Sequence, residues 1–347
     1  MKDEIYIRRC LELARLGAGN VSPNPMVGCV IVCDDRIIGE GYHKIYGQAH
    51  AEVNAINSVE DKQLLKKSTL YVSLEPCCHY GKTPPCANLI VASNIPKVVI
   101  CNRDPNPKVD GGGIKILEDA GIEVVVGVLE KEGRELNKRF FTSHEKFRPY
   151  IILKWAETID GFMDIDRKRE VKDYWITNDN LKVWVHKQRS EEDAILVGKN
   201  TVINDNPRLN VRYVAGKQPI RLIIDRDLNI SKDRNIYDNS QRTIIFNSLI
   251  GEEKGNMVFV RLDFEKDIID QIIQYIYSIK IKSIIVEGGR HTLDSFLDKG
   301  AWDEANVLVG NNRFYHGLKS PTIADVLLDR VENFGDNKIK FYRNYSY

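Results

Sequence analysis

A histidine, a glutamate and two cysteines are the residues of this chain whose types and spacing point most directly to chemistry. They lie in His50-Ala51-Glu52 and in Pro76-Cys77-Cys78-His79-Tyr80-Gly81-Lys82-Thr83-Pro84-Pro85-Cys86. Zinc favours tetrahedral nitrogen and sulfur ligands, and a catalytic zinc keeps one position open for water. His50, Cys77 and Cys86 offer three protein ligands, with Cys78 as an alternative thiolate beside Cys77. A water in the fourth position would have its pKa lowered to about 7. Glu52 is then the natural proton shuttle, general base first and general acid afterwards. A plainer reading of the same residues is a structural zinc knot with Glu52 as a helix-surface acid.

Both ligand segments are expected to open helices, at 51–59 and 87–93. Proline suits a first helical turn, as Pro84-Pro85 would provide. The positive helix end favours thiolate over thiol.

An H-x-E element combined with a proline–cysteine element resembles the nucleobase deaminases, whose second element is P-C-x-x-C. Here eight residues, not two, separate Cys77 from Cys86. That longer loop, with Ser22-Pro23-Asn24-Pro25-Met26-Val27-Gly28 and Gly41-Tyr42-His43, resembles the riboflavin-biosynthesis deaminases. The P-C position of the family pattern favours Cys77 over Cys78. The resemblance implies that Asn24, His43, His79, Lys82, Asp104 and Asn106 contact the family substrate, 2,5-diamino-6-ribosylaminopyrimidinone 5′-phosphate. Amides and carboxylates suit ribose hydroxyls and ring edges, and a lysine suits a phosphate. Asp104-Pro105-Asn106-Pro107 would also serve as a plain turn.

A second candidate is Ser283-Ile284-Ile285-Val286-Glu287-Gly288-Gly289-Arg290-His291-Thr292, a buried strand running into two glycines and a helix. Backbone N–H groups at such a helix start bind pyrophosphate, and glycine permits close approach. By contrast, Asp110-Gly111-Gly112-Gly113 does not complete G-x-G-x-x-G and reads as a tight turn before a helix. Leu153-Lys154-Trp155-Ala156, Trp175-Ile176-Thr177 and the stretch from Asp193 to Leu209 resemble the reductase half of the same bifunctional family, which has a dihydrofolate-reductase-like fold. The resemblance implies NADPH contacts at Ala156, Trp175, Thr201, Asp205, Gly289, Arg290, His291, Thr292, Leu293, Asp294 and Ser295. It implies substrate contacts at Asp173, Arg189, Leu209, Arg212 and Glu287. Arginines suit phosphate, although solvated surface charge is the plainer reading of Arg189 and Arg212. The implied reaction is hydride transfer from the nicotinamide to C1′ of the opened ribose, giving a ribityl chain; the residues offer no clear proton donor. Asp173 stands where the family pattern has serine, and Val309-Gly310-Asn311-Asn312-Arg313-Phe314 lacks that pattern's proline and glycine pair.

The elements that must position these groups follow from length and patterning. A chain of 347 residues has room for two domains of roughly 100–200 residues each. The net charge of +1, from 50 basic and 49 acidic residues, lacks the basic excess of a nucleic-acid binder and favours a small-molecule substrate. No run approaches the ~18 apolar residues of a membrane span, and the charged N-terminal segment has no signal core, so a cytoplasmic protein is expected. All seven cysteines fall within the first 101 residues, which separates two chemistries along the chain. Cys10, Cys29, Cys33 and Cys101 sit in apolar runs and read as packing residues.

Helical spacing before Gly17 gives a first helix, 27–33 and 36–41 a hairpin turned at Asp34-Asp35, and 69–74, 98–101 and 123–126 three strands. A closing helix is expected over 130–141, with a junction at Arg148-Pro149. The second half should carry strands at 150–155, 194–197, 220–224, 243–246, 257–261 and 283–286, with helices near 180–189, 268–279 and 292–297. The fold class is therefore α/β in both halves. The pattern implies a three-layer α/β/α domain over 1–146 followed by a second α/β domain over 147–347; the resemblance implies that the first is cytidine-deaminase-like and the second dihydrofolate-reductase-like. The resemblance also implies a homo-oligomer. Two other functions stay open at this point: a nucleic-acid deaminase with an accessory domain, and a deaminase whose second half only binds nucleotide or promotes association.

Overall fold

The computed structural model describes residues 2–80, 84–165, 175–324 and 326–347. Lys82 and Asp173 lie outside the described residues. The chain divides into two compact units, Met1–Phe147 and Arg148–Tyr347.

In the first unit, α1 (Lys2–Arg15) precedes β1 (Gly28–Cys33) and β2 (Arg36–Tyr42). Then come α2 (Ala51–Ser58), β3 (Thr69–Leu74), α3 (Cys86–Ala92), β4 (Lys97–Asn102), α4 (Gly112–Asp119) and β5 (Glu123–Val126). The sheet order is β2-β1-β3-β4-β5, with β1 antiparallel to β2 and β3 and the last three strands parallel. Asp34 and Asp35 both take positive φ, 47° and 63°, the paired left-handed residues of a tight hairpin turn. Side chains alternate across the sheet as strand geometry demands. Cys29 and Ile31 pack with Ala51, Ala55, Ala87 and Leu117 on one face. Val30 and Val32 pack with Ile7, Cys10 and Leu11 of α1 on the other. Three layers result.

The single helix expected over 130–141 is two, α5 (Glu130–Leu136) and α6 (Lys138–Glu145). They break at Asn137, which is buried and pairs with both backbone groups of Met26, accepting from its N–H and donating to its carbonyl at 2.9 Å each. A tertiary contact overrides the helical pattern there.

The second unit runs β6 (Tyr150–Thr158), β7 (Phe162–Asp164), α7 (Asp179–Glu191), β8 (Ala194–Gly198), α8 (Lys199–Asp205) and β9 (Ile220–Ile224). It continues with β10 (Thr243–Asn247), β11 (Glu252–Lys254), β12 (Met257–Arg261), α9 (Ile268–Ser278), β13 (Ser283–Gly288) and α10 (Arg290–Asp298). It closes with β14 (Glu304–Gly310), β15 (Leu318–Lys319), β16 (Leu328–Phe334) and β17 (Asn337–Arg343). Ten strands form one sheet in the order β11-β12-β10-β9-β8-β13-β6-β14-β17-β16. The seven from β12 to β14 are parallel. Helices α9 and α10 cover one face through Ile272, Ile276, Leu293 and Phe296.

No strand was expected after 286, yet three long ones lie there. β14 is buried on both faces from Ala305 to Gly310, so its residues show no alternation of period two. β16 is a mostly exposed edge strand rich in charge, which hides an apolar alternation. Among the described residues, no helix is long and apolar enough to cross a membrane.

Candidate active site

The two ligand segments of the first unit meet at one point. His50 caps the start of α2, and Cys86 is the first residue of α3. His50 Nδ1 lies 3.5 Å from Cys77 Sγ and 3.4 Å from Cys86 Sγ, and the backbone N–H of Cys86 donates to Cys77 Sγ at 3.3 Å. The three ligand atoms fall within 4.8 Å of one another. Cys78 turns away, its thiol donating to the carbonyl of Lys108 at 3.3 Å.

The donor set fits zinc on its own chemistry. A hydrogen bond from Cys86, together with His50, lowers the Cys77 thiol well below the ordinary range. Cys77 and burial push Cys86 the opposite way. Two thiols so close cannot both ionise comfortably unless a cation sits between them, and a dication coordinated by both thiolates meets that need. Cys10, Cys29, Cys33 and Cys101 are buried elsewhere.

Glu52 lies on the first turn of α2 with 3% of its surface exposed. Burial pushes its carboxyl up to about 7, and Cys77 adds to the rise. A carboxyl poised there exchanges protons readily at neutral pH. His43 is buried beside His50, with ring centroids 5.3 Å apart. Its Nδ1 faces the Ala49 carbonyl, an acceptor, at 3.1 Å, so that nitrogen carries the hydrogen. Nε2 then accepts from the Asn24 amide at 3.2 Å. Burial lowers the His43 pKa and keeps the ring neutral. Asp104 is buried too, its carboxyl raised by burial to about 7, and it accepts from the Asn106 N–H at 2.8 Å. His79 is exposed.

In the second unit, a cavity of about 1340 Å³ opens at the C-terminal ends of β6, β8, β9 and β13, lined there by Ala156, Gly198, Ile224 and Glu287. Pockets for a single small ligand run to roughly 300–1,000 Å³, so this one exceeds the space a single small ligand needs. Parallel sheets bind ligands where strand order reverses, as it does around β13. Gly288 has φ +125°, which a side chain would oppose, and the turn delivers Gly289 to the start of α10. A Cβ on Gly289 would stand 3.3 Å from Thr201 Oγ1, so α8 and this turn face each other.

Of the expected contacts here, Ala156, Trp175, Thr201, Asp205, Arg189, Leu209, Arg212 and Glu287 line the cavity, as do Gly289, Arg290, His291, Thr292, Asp294 and Ser295. Leu293 does not. Its side chain is fully buried in the core between α10 and the sheet.

Lys154, quoted from the sequence without a role, stands in the cavity wall within a cluster of buried charge. Arg189 grips Glu287 through Nε at 3.0 Å and Nη2 at 2.6 Å, and Lys154 Nζ lies 3.5 Å from the same carboxylate. Burial alone would raise the Glu287 carboxyl, but the charges of Arg189 and Lys154 outweigh it and hold it at about 2. Burial lowers the Lys154 ammonium, against the pull of Glu287. A charged residue inside the apolar run Tyr150-Ile151-Ile152-Leu153-Lys154-Trp155 was the available signal. His186 was also missed. One turn before Arg189, it accepts the Arg212 backbone N–H on Nδ1 at 3.1 Å, and burial lowers its pKa to about 4, with help from Arg189 and Arg212. The H-x-x-R spacing on a helix places both on one side.

Residues 1–102 match the family model for the cytidine and deoxycytidylate deaminase zinc-binding region, and residues 149–311 match that for the RibD C-terminal domain. The riboflavin biosynthesis protein RibD of Aquifex aeolicus is 38% identical over 359 residues, covering 99% of each chain. RibD of Escherichia coli K12 is 34% identical, covering 89% of this chain and 88% of its own. The solved structure of a diaminohydroxyphosphoribosylaminopyrimidine deaminase/5-amino-6-(5-phosphoribosylamino)uracil reductase from Thermotoga maritima has 37% identity and a TM-score of 0.89, covering 99% of both chains.

Proposed function

The chain belongs to the RibD family, the deaminase/reductase enzymes of riboflavin biosynthesis, and from that premise we propose which of its residues carry each step. The reading rests on one observation above the others: a histidine nitrogen and two thiols gathered within 4.8 Å, beside a buried carboxyl.

Residues 1–146 form the deaminase and 147–347 the reductase. When bound, zinc held by His50, Cys77 and Cys86 supplies the Lewis acid that acidifies a water, and NADPH supplies the hydride. Glu52 takes the proton of the attacking water and returns it to the departing amine of 2,5-diamino-6-ribosylaminopyrimidinone 5′-phosphate. Its raised pKa suits both halves of that exchange. Asn24, neutral His43, His79, Asp104 and Asn106 bind the pyrimidine and ribose, and Lys82 the phosphate.

In the reductase, Ala156, Trp175, Thr201, Asp205 and the turn and helix start at 289–295 hold the dinucleotide; Leu293 contributes only backbone. Asp173, Arg189, Leu209, Arg212 and Glu287 hold the ribosyl phosphate. Lys154 delivers the proton that the nitrogen on C1′ takes up as the C1′=N bond of the opened ribose is reduced by the hydride. Its lowered pKa makes it a better acid than a solvated lysine. The protein is read as a cytoplasmic homo-oligomer: the family resemblance supports association, and seven unpaired cysteines suit a reducing compartment.

Ammonia release followed by NADPH oxidation, measured on one purified chain given the pyrimidine phosphate, tests the assignment. Ammonia without later NADPH oxidation would remove the reductase role.

A further inference from the structure

Glu75 stands immediately before the Pro76-Cys77 metal loop, at the end of β3, and is 4% exposed. Its carboxylate accepts four backbone N–H groups. Oε2 takes those of Asp104 at 3.2 Å and Gly111 at 3.1 Å, and Oε1 takes those of Gly113 at 3.0 Å and Ile114 at 3.2 Å. All four donors lie 29 to 39 residues further along the chain. One side chain thus joins the loop carrying Cys77 to the loop carrying Asp104 and Asn106, and to the first turn of α4.

The glycine run that resembled a nucleotide loop belongs to this joint. A Cβ on Gly113 would come 1.9 Å from the Pro76 carbonyl oxygen, and one on Gly112 would meet the Cys78 sulfur at 2.7 Å. Only glycines let the start of α4 settle against the metal loop closely enough for Glu75 to reach its donors.

We propose that Glu75 is a positioning residue of the deaminase, fixing the Asp104–Asn106 substrate loop at a set distance from the metal loop. The inference rests on the reading of Asp104 and Asn106 as substrate contacts. Glu75 lies outside the ligand set His50, Cys77 and Cys86 and outside the substrate contacts assigned above. What it determines is where the Asp104 carboxyl stands relative to His50, Cys77 and Cys86.

Glu75→Gln tests this with little change in shape. The amide keeps one oxygen for two of the donors and turns an NH₂ group, itself a donor, towards the other two. The expected result is a KM for the pyrimidine phosphate raised roughly tenfold or more, with kcat changed far less and zinc still stoichiometric. NADPH oxidation with the deaminated substrate stays at its parent rate, and an unchanged melting transition reports that the first unit is folded. Gly113→Ala acts on the same joint without touching charge, and should raise KM in the same way. Glu75→Asp is measured alongside, so that a poorly folding glutamine variant does not end the test; a shortened carboxylate that cannot reach all four donors gives an intermediate KM. An unchanged KM in the folded variants overturns the proposal, and so does loss of zinc from them, which would place the role of Glu75 at the metal. Asp104→Ala separates the two layers. If it raises KM while the Glu75 variants do not, only the inference about Glu75 falls. If Asp104→Ala leaves KM unchanged, the substrate-loop reading falls and takes the inference with it.

Discussion

In Glu287→Gln, a neutral amide replaces the carboxylate that Arg189 holds at 3.0 and 2.6 Å and Lys154 approaches at 3.5 Å. The Lys154 and Glu287 side chains are 12% and 7% exposed, so solvent screens the cluster little. At 3.5 Å and an effective dielectric of about 20, one such pair interacts by on the order of 5 kcal/mol. Desolvation offsets much of that in the intact cluster, but removal of one partner leaves the cations buried together, which costs about 3–5 kcal/mol. At ~2–4 °C per kcal/mol for a unit of this size, the second unit should melt roughly 6–20 °C lower.

The catalytic consequence has a definite sign. Glu287 is the neighbour that raises the Lys154 pKa, while burial and Arg189 lower it. Without the carboxylate, Lys154 sheds its proton at lower pH, and a reduction that needs the ammonium loses rate from a lower pH upward. NADPH oxidation with the deaminated substrate, followed across pH in parent and variant, should therefore show the alkaline limb moved to lower pH. Ammonia release from the first unit should keep its rate, and the melting transition of the second unit, read below its midpoint, serves as the folding control. Were Glu287 only a substrate contact, KM would rise and the limb would stay in place. An unmoved limb with an unchanged rate would refute Lys154 as the acid.

Two further outcomes are expected. Glu52→Gln should keep stoichiometric zinc while ammonia release falls roughly 10²–10⁴-fold and NADPH oxidation holds; metal loss measured by atomic absorption would instead make Glu52 a ligand. Acid should weaken the second unit in two windows. His186 has a folded pKa of about 4 against an ordinary 6.5, so the unfolded chain binds more protons between those values and stability falls as pH drops through them. Glu287, held at about 2 against 4.5, contributes stability that is present above 4.5 and lost as pH falls to about 2. A calorimetric midpoint that stays flat from pH 6.5 downward would contradict both shifts.

Much of the metal centre is legible because its ligands sit in two short segments and few residue types can do the work. His50 and Cys86 needed only their identities and the helix starts beside them, whereas the choice of Cys77 over Cys78 came from the P-C position of the family pattern. Strands such as Thr69–Leu74 and Ile220–Ile224 follow directly from their apolar runs and flanking turns. The break at Asn137 is illegible for the opposite reason: its cause is Met26, 111 residues away, and nothing beside Asn137 in sequence announces it. Leu293 shows a different limit. A resemblance transfers a stretch such as 289–295 as a block, but a helix turns one side of that block into the core.

Lys154 and Glu75 share the deeper reason why site residues escape a sequence reading. Each is a charged group inside an apolar stretch, which costs stability unless partners from elsewhere compensate it. The partners are Glu287 for one and the N–H groups of Asp104, Gly111, Gly113 and Ile114 for the other, and the sequence does not show those pairings. A buried charge in a strand or at its end is therefore a statement that two distant segments meet there. At Lys154 the segments that meet line the cavity wall. At Glu75 they are the metal loop and the substrate loop, and the distance between them is what the deaminase must hold constant.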